Sequence, residues 1–212
     1  MSLKNKHVLI TAGPTWVPID KVRVISNTST GTTGFILANK FKDAGAKVTL
    51  VHGPVCECNL KCHAKRIRFK FFDELSRVVT KELKTARVDI LIHSAAVSDY
   101  KLSSIHKGKI PSGDKELRLT LVPTVKIIEG LKKISPDLFL VGFKFEPQAS
   151  RIFLIKEAKS LISKSKADLV VANTNSGNKY RAYIVSAKKT SGPFLTKERM
   201  SAELLHAIGG KI

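Results

Sequence analysis

Apolar runs and helix-period segments alternate along almost the whole chain, and no other feature constrains the fold as strongly. HVLITAG at 7–13 reads as a strand ending in glycine. GFILANKFKDAGA at 34–46 then has a helical period closed by a glycine C-cap signal. KVTLVHG (47–53), the amphipathic FFDELSRVVTKELKTA (71–86) and the apolar VDILIHSAAV (88–97) continue the alternation, the last as a long strand buried on both faces. It resumes with TVKIIEGLKKI (124–134), LFLVGFKFE (138–146) and SRIFLIKEAKSLISKSK (150–166), and closes with DLVVANT, RAYIVSAK and the helix TKERMSAELLHAIGG. Strands joined through helices demand right-handed crossovers and a mostly parallel sheet. One interval breaks the rule: around 100–122 there is no helical period, only two extended arms about a Pro-Ser-Gly-Asp turn. The pattern predicts one α/β domain over 1–212, a doubly wound, mostly parallel, Rossmann-like sheet with an extended flap insertion.

Charge limits the partners. The 212 residues carry 37 Lys and Arg against 17 Asp and Glu, a net +20. The cations are spread without an arginine-rich block or tail, and few aromatics accompany them, so a stacking platform for single strands is not evident. A surface that gathers anionic metabolites suits this pattern better than a nucleic-acid module, which stays the non-enzymatic alternative. No apolar run reaches the ~18 residues of a membrane span. MSLKNKHVLI has no signal-peptide core, so a cytoplasmic protein is expected. Cys56, Cys58 and Cys62 in CECNLKC, flanked by His52 and His63, form one crowded cluster without the paired spacing of a structural zinc site. Reduced thiols on a surface loop are the expectation, and no metal site is assigned.

In a doubly wound sheet, ligands bind beyond the carboxyl ends of the strands. TAGPT (11–15), SAAVSDY (94–100), VGFKFE (141–146) and VANTNSG (171–177) occupy those ends and are expected to converge. TAGPT is neither GxGxxG nor a P-loop, and no acidic residue follows the second strand. A nicotinamide-dependent reductase, the enzymatic alternative, therefore lacks its fingerprint. The loop Ser26, Asn27, Thr28, Ser29, Thr30, Gly31 precedes a helix with far more donors than one N-cap needs, and so suits an anion cradle. Lys109 in GKIPSGD could neutralise charge on a transferred group from a mobile arm. Asp99 could accept hydrogen bonds from a ribose or base, or cap the next turn.

The ordered motifs VLITAGPTWVPIDKVRVISNTSTGTTG, KVTLVHGPV, LIHSAAVSDY, GKIPSGDKELRLTLVPTVKII, LVGFKFE, DLVVANT and RAYIV make the chain resemble the phosphopantothenoylcysteine synthetase (phosphopantothenate–cysteine ligase) family over nearly its full length. The resemblance implies an amide bond formed between 4′-phosphopantothenate and cysteine through an acyl-nucleotidylate. It implies Asn27 and Lys109 as catalytic residues, with Arg23, Ser26, Ser29, Thr30, Gly31, Ala95 and Ala96 around the substrate. Nucleotide contacts carry over to Gly13, Asp99, Lys109, Val125, Lys126, Ile127, Ile128 and Phe143, with Lys159 and Lys164 as looser counterparts of two phosphate-binding helix lysines. The resemblance also implies Mg2+ accompanying CTP or ATP, and a homodimer with the flap reaching across. Many bacterial members read Lys-x-Lys-Lys at the flap, where this chain has Lys109, Ile110, Pro111 and Ser112. That is similar to stand-alone and eukaryotic-type members and leaves the nucleotide open. The flavin-binding decarboxylase half often fused upstream is missing from the sequence, so neither flavin nor decarboxylation is expected, and a separate decarboxylase is a candidate partner.

Overall fold

A computed structural model describes residues 2–56, 61–113, 115–177 and 179–212. The apolar His7–Ala12 forms β1, fully buried, in the middle of an eight-stranded sheet. β4 (Lys47–His52) pairs parallel on one side, from His7 opposite Lys47 to Ala12 opposite His52, and β5 (Lys65–Arg68) adds the edge. On the other side come β6 (Ile90–His93), β9 (Phe139–Phe145) and β10 (Leu169–Ser176), all parallel. β11 (Lys179–Val185) and β12 (Thr190–Phe194) then close the sheet antiparallel. The chain steps outward from β1 in one direction through β4 and in the other through β6. The switch point therefore lies between β1 and β6. This is the mostly parallel, Rossmann-like architecture that the alternation predicts.

Two-residue periodicity sorts the strands onto two cores. Val8, Ile10 and Ile92 pack with α1 (Thr32–Asp43) and α5 (Lys197–Gly209) through Phe35, Phe41 and Leu204. Leu9, Leu91 and Leu140 face α2 (Phe72–Thr85), α3 (Ile127–Ile134) and α4 (Arg151–Ser165) through Leu75, Leu131 and Leu154. Local chemistry fixes the helix starts. Ser150 and Thr196 accept from the N–H groups of Phe153 and Arg199, and Glu74 Oε2 accepts from Lys70 N at 2.7 Å.

Two small hairpins stand off the sheet, β2 (Trp16–Pro18) with β3 (Val24–Ser26) and β7 (Tyr100–Leu102) with β8 (Leu121–Pro123). The second is the base of the flap, whose two arms pair as expected. The tip's Asp114 lies outside the described residues, as does Cys58. One expectation is corrected: VDILIHSAAV is a strand only over Ile90–His93. From Ser94 the backbone leaves the ladder to bond the turn after β1, with Ser94 N donating to Thr11 O at 3.1 Å and Ala96 N to Gly13 O at 2.9 Å.

Candidate active site

The loops that follow β1 and β6 are laced together before they can hold anything else. Asn27 Nδ2 donates to Ala96 O at 3.0 Å, and that carbonyl also accepts from Thr15 N at 3.3 Å. Thr15 Oγ1 in turn accepts from Ser98 N at 2.8 Å. Gly13 and Gly31 both sit at positive φ, 75° and 73°. A Cβ on either would meet Val55 Cγ1 at 2.8 or 3.0 Å. Gly13 thus shapes the turn and does not line the cleft above it.

That cleft holds about 840 Å³ along the carboxyl edge of the parallel strands. Residues 27–33 form one wall and residues 93–97 its floor, with Asp99 and residues 124–129 beside them. Phe143, Lys144 and Phe145 at the end of β9, Asn173 and Asn175 on β10, and α4 complete it. Gly31 is the N-cap residue of α1, with no side-chain cap bond, although Thr30 Oγ1 lies 3.5 Å from Thr32 N. The hydroxyls of Thr28, Ser29, Thr30, Thr32 and Thr33 therefore border the cleft next to a helix N-terminus, where backbone donors and the helix dipole favour an anion.

Lysines outnumber carboxylates on the walls. Lys126, Lys144, Lys164 and Lys197 face the cavity, against Asp99, Glu129 and Glu157. Lys126 Nζ pairs with Asp99 Oδ1, and Lys144 Nζ lies 2.9 Å from Glu146 and 3.4 Å from Glu157. His93 is buried at the base, its Nδ1 2.9 Å from Thr11 Oγ1, and desolvation pulls its pKa down to about 4. The imidazole is neutral near pH 7. Burial, helped by the Glu198 charge, pushes the Tyr180 phenol well above its usual range, so it stays a hydrogen-bond donor.

Of the residues expected from the sequence, Asn27, Ser29, Thr30, Gly31, Ala95, Ala96, Asp99, Val125, Lys126, Ile127, Ile128, Phe143 and Lys164 line this one cleft. Ser26 faces a second cavity of about 490 Å³ behind the same loop, with Trp16, Pro54, Val55 and Cys56. Lys159 points elsewhere. Along α4 the cleft-facing positions are Glu157, Ser160, Leu161 and Lys164, an i, i+3, i+4, i+7 stripe that excludes it. Arg23 and Lys109 also lie outside the cavity. Arg23 is held by Asp20 and by the Ile110 carbonyl. Lys109 is exposed on the flap arm that follows β7.

Lys144, Asn173 and Asn175 were within reach of sequence reasoning, since they fall in strand-end loops already expected to converge. Tyr180 and Lys197 were not, because they enter from the antiparallel side of the sheet. His52 packs edge-on against Phe35 with ring centroids 5.4 Å apart. Among the described residues no three His, Cys, Asp or Glu side chains gather as a metal site.

Fold and cleft together define a Rossmann-like α/β protein with a nucleotide-sized cleft at its switch point, lined by hydroxyls and by more lysines than carboxylates. The chain belongs to the family described as the DNA/pantothenate metabolism flavoprotein C-terminal domain, which it matches over residues 3–210. It is 39% identical over 173 residues to the coenzyme A biosynthesis bifunctional protein CoaBC of Thermococcus kodakarensis, a match covering 82% of this chain and 42% of that protein. The chain thus spans less than half the length of that relative. The DNA/pantothenate metabolism flavoprotein of Streptococcus pneumoniae superposes with a TM-score of 0.86 at 28% identity, covering 98% of this chain and all of that one. The C-terminal domain of a CoaBC protein superposes at 0.80, also at 28% identity, covering 97% and 95% of the two chains.

Proposed function

We propose that this domain is a phosphopantothenate–cysteine ligase that uses CTP or ATP to join 4′-phosphopantothenate to the amine of cysteine, in coenzyme A biosynthesis. The observation that carries the proposal is the loop of residues 27–33. Its hydroxyls and Asn27 border a nucleotide-sized cleft at a helix N-terminus that no side chain caps. Membership in a pantothenate-metabolism family and similarity to a coenzyme A biosynthesis protein support the same pathway.

A carboxylate is a poor electrophile, so the substrate carboxylate first attacks the α-phosphorus of the nucleotide. Pyrophosphate leaves and a mixed anhydride remains. The cysteine amine then attacks the acyl carbon, releasing the nucleoside monophosphate and losing a proton. The chain's task is positioning and charge neutralisation. Asn27, fixed by its bond to Ala96 O, orients the acyl group. Asp99 and Phe143 hold the nucleoside, and Lys126 and Lys164 balance phosphate charge. Mg2+ bound to the triphosphate would supply further charge neutralisation, and among the described residues the walls offer it the scattered carboxylates Asp99, Glu129 and Glu157 without a dedicated cage. Lys109 stabilises charge at the reacting phosphorus.

Because Lys109 lies outside the cleft, its role calls for its side chain to swing over the cleft or for delivery across a homodimer. The hairpin and flap supply an apolar face for such a dimer. Val22, Val24, Ile25, Tyr100, Leu119 and Leu121 are all exposed there, and β2 lies against β7. No helix among the described residues is long and apolar enough to cross a membrane, and a cytoplasmic enzyme fits that. A separate decarboxylase is a possible partner.

Sustained pyrophosphate release should require phosphopantothenate, cysteine and Mg2+ together, with at most one equivalent per site when cysteine is left out, assayed with CTP and ATP separately. It should collapse in Asn27→Ala and Lys109→Ala. A folded protein that releases none with either nucleotide would overturn the ligase assignment.

A further inference from the structure

The Asp20 carboxylate is buried, with none of its side chain reaching solvent, yet it is crowded with donors. Oδ1 accepts from Val22 N at 2.8 Å and Arg23 N at 2.7 Å, closing the turn between β2 and β3. Oδ2 accepts from the Arg23 guanidinium at 2.8 Å and, across 90 residues of sequence, from Ile110 N at 3.0 Å. The same guanidinium returns to the Ile110 carbonyl at 3.3 and 3.2 Å. Both polar groups of the Ile110 backbone are thus clamped by one acid–arginine pair. Two more bonds run beside it, Lys21 N to Gly108 O at 3.1 Å and His106 N to Ile19 O at 3.2 Å.

The flap arm around Lys109 is therefore pinned on both sides, at residues 106 and 108 before it and at Ile110 after it. These bonds hold the backbone on either side of Lys109, whose side chain is exposed. A buried carboxylate that takes four donors is costly to place unless its geometry is used. The donor from Ile110 is the one that the local turn does not need.

We infer that Asp20 is a positioning residue for the flap lysine: with Arg23 it clamps the Ile110 backbone and so fixes where the Lys109 ammonium can reach. The catalytic half of this inference rests on the ligase assignment above; the clamp itself does not.

Two measurements on the full chain separate them. Trypsin cuts after lysine, so cleavage of the Lys109–Ile110 bond, compared with cleavage after exposed Lys115 and Arg118, reads the clamp without any substrate. Asp20→Asn is expected to speed cleavage after Lys109 by roughly tenfold or more over wild type, with the tip sites unchanged, as for local opening of an anchored segment. Arg23→Lys, which keeps the charge but loses the bidentate fork, should do so to a smaller extent and serves if Asp20→Asn fails to fold by circular dichroism.

In pyrophosphate release, Asp20→Asn should lower kcat by roughly 10- to 100-fold, the scale of a misplaced catalytic group, with KM for the nucleotide little changed. The Asp20→Asn, Lys109→Ala double variant should be no slower than Lys109→Ala alone. Unchanged cleavage in both single variants would overturn the clamp. Multiplying kinetic effects in the double variant would overturn its action through Lys109. A wild type inactive with every nucleotide would sink the ligase assignment while the cleavage result still stands.

Discussion

At the scale of single residues, Gly34 sets how closely α1 can approach β1. A Cβ there would lie 2.3 Å from Ala12 Cβ and 3.3 Å from Ser94 Oγ. Neither neighbour can yield without moving the switch point. Gly34→Ala is therefore expected to cost about 1–3 kcal/mol in chemical denaturation, the range for overpacking a close contact. His93 makes a different prediction. The unfolded imidazole protonates near 6.5, whereas the folded one stays neutral down to about 4. Between those values the unfolded state holds more protons, so stability falls as pH falls through that window and levels off below it. The loss attributable to this group is about 3 kcal/mol by the free energy of a pKa shift of that size. Denaturation midpoints taken from pH 7 to 4 should converge between wild type and His93→Gln as pH falls; parallel curves would refute the assignment. Asp20 acts in a separate window. Chiefly the Ile110 N–H bond, against the opposing cost of burial, holds its carboxyl at about 2, so the stability it supplies is kept above the usual 3.8 and lost only below it. Asn27 and Asp99 were legible from their motif and their place at a strand end. His93 was not, because a histidine inside an apolar run looks the same whether it supports a core or borders a cleft.

At the scale of elements, legibility followed amphipathic contrast. The buried parallel strands and the five helices were readable because each has a continuous apolar run or stripe. β5 was missed because KRIR is an exposed, charged edge strand, the kind of edge that resists further pairing and carries no alternation signal. β12 was missed because Gly192 and Pro193 interrupt it, and Pro is tolerated there only because it is the sheet's other edge. The phase of α4 decides which lysine meets the ligand, and a spacing argument on KSLISK cannot settle phase without the neighbouring strand. Lys164→Ala should weaken CTP or ATP binding roughly 10- to 100-fold, as for loss of one charge-assisted contact. Lys159→Ala should leave the isotherm within about twofold, as for an exposed surface change. Equal losses in titration calorimetry would mean that the cleft stripe is misassigned.

At the scale of the whole molecule, the cleft is assembled by one chain, but its proposed flap lysine is not in it. If the exposed apolar face of the hairpin and flap joins two copies, each cleft can be completed by the neighbour's Lys109. Charge substitution in that face, Ile25→Asp with Leu121→Asp, should then shift the sedimentation coefficient from dimer to folded monomer and abolish turnover, since obligate association hides apolar surface that a charge cannot enter. The arrangement of the two catalytic residues permits a sharper test. A Lys109→Ala protomer keeps Asn27, and an Asn27→Ala protomer keeps Lys109. In a mixed dimer, delivery across the interface leaves one cleft with both residues and the other with neither. Delivery within a chain leaves both clefts defective. Random reassortment of two individually inactive variants makes half the dimers mixed, so mixing should restore about a quarter of wild-type pyrophosphate release if the lysine crosses a twofold interface. No recovery, from variants that demonstrably exchange subunits, would place Lys109 in the service of its own cleft and require the flap side chain to close over it.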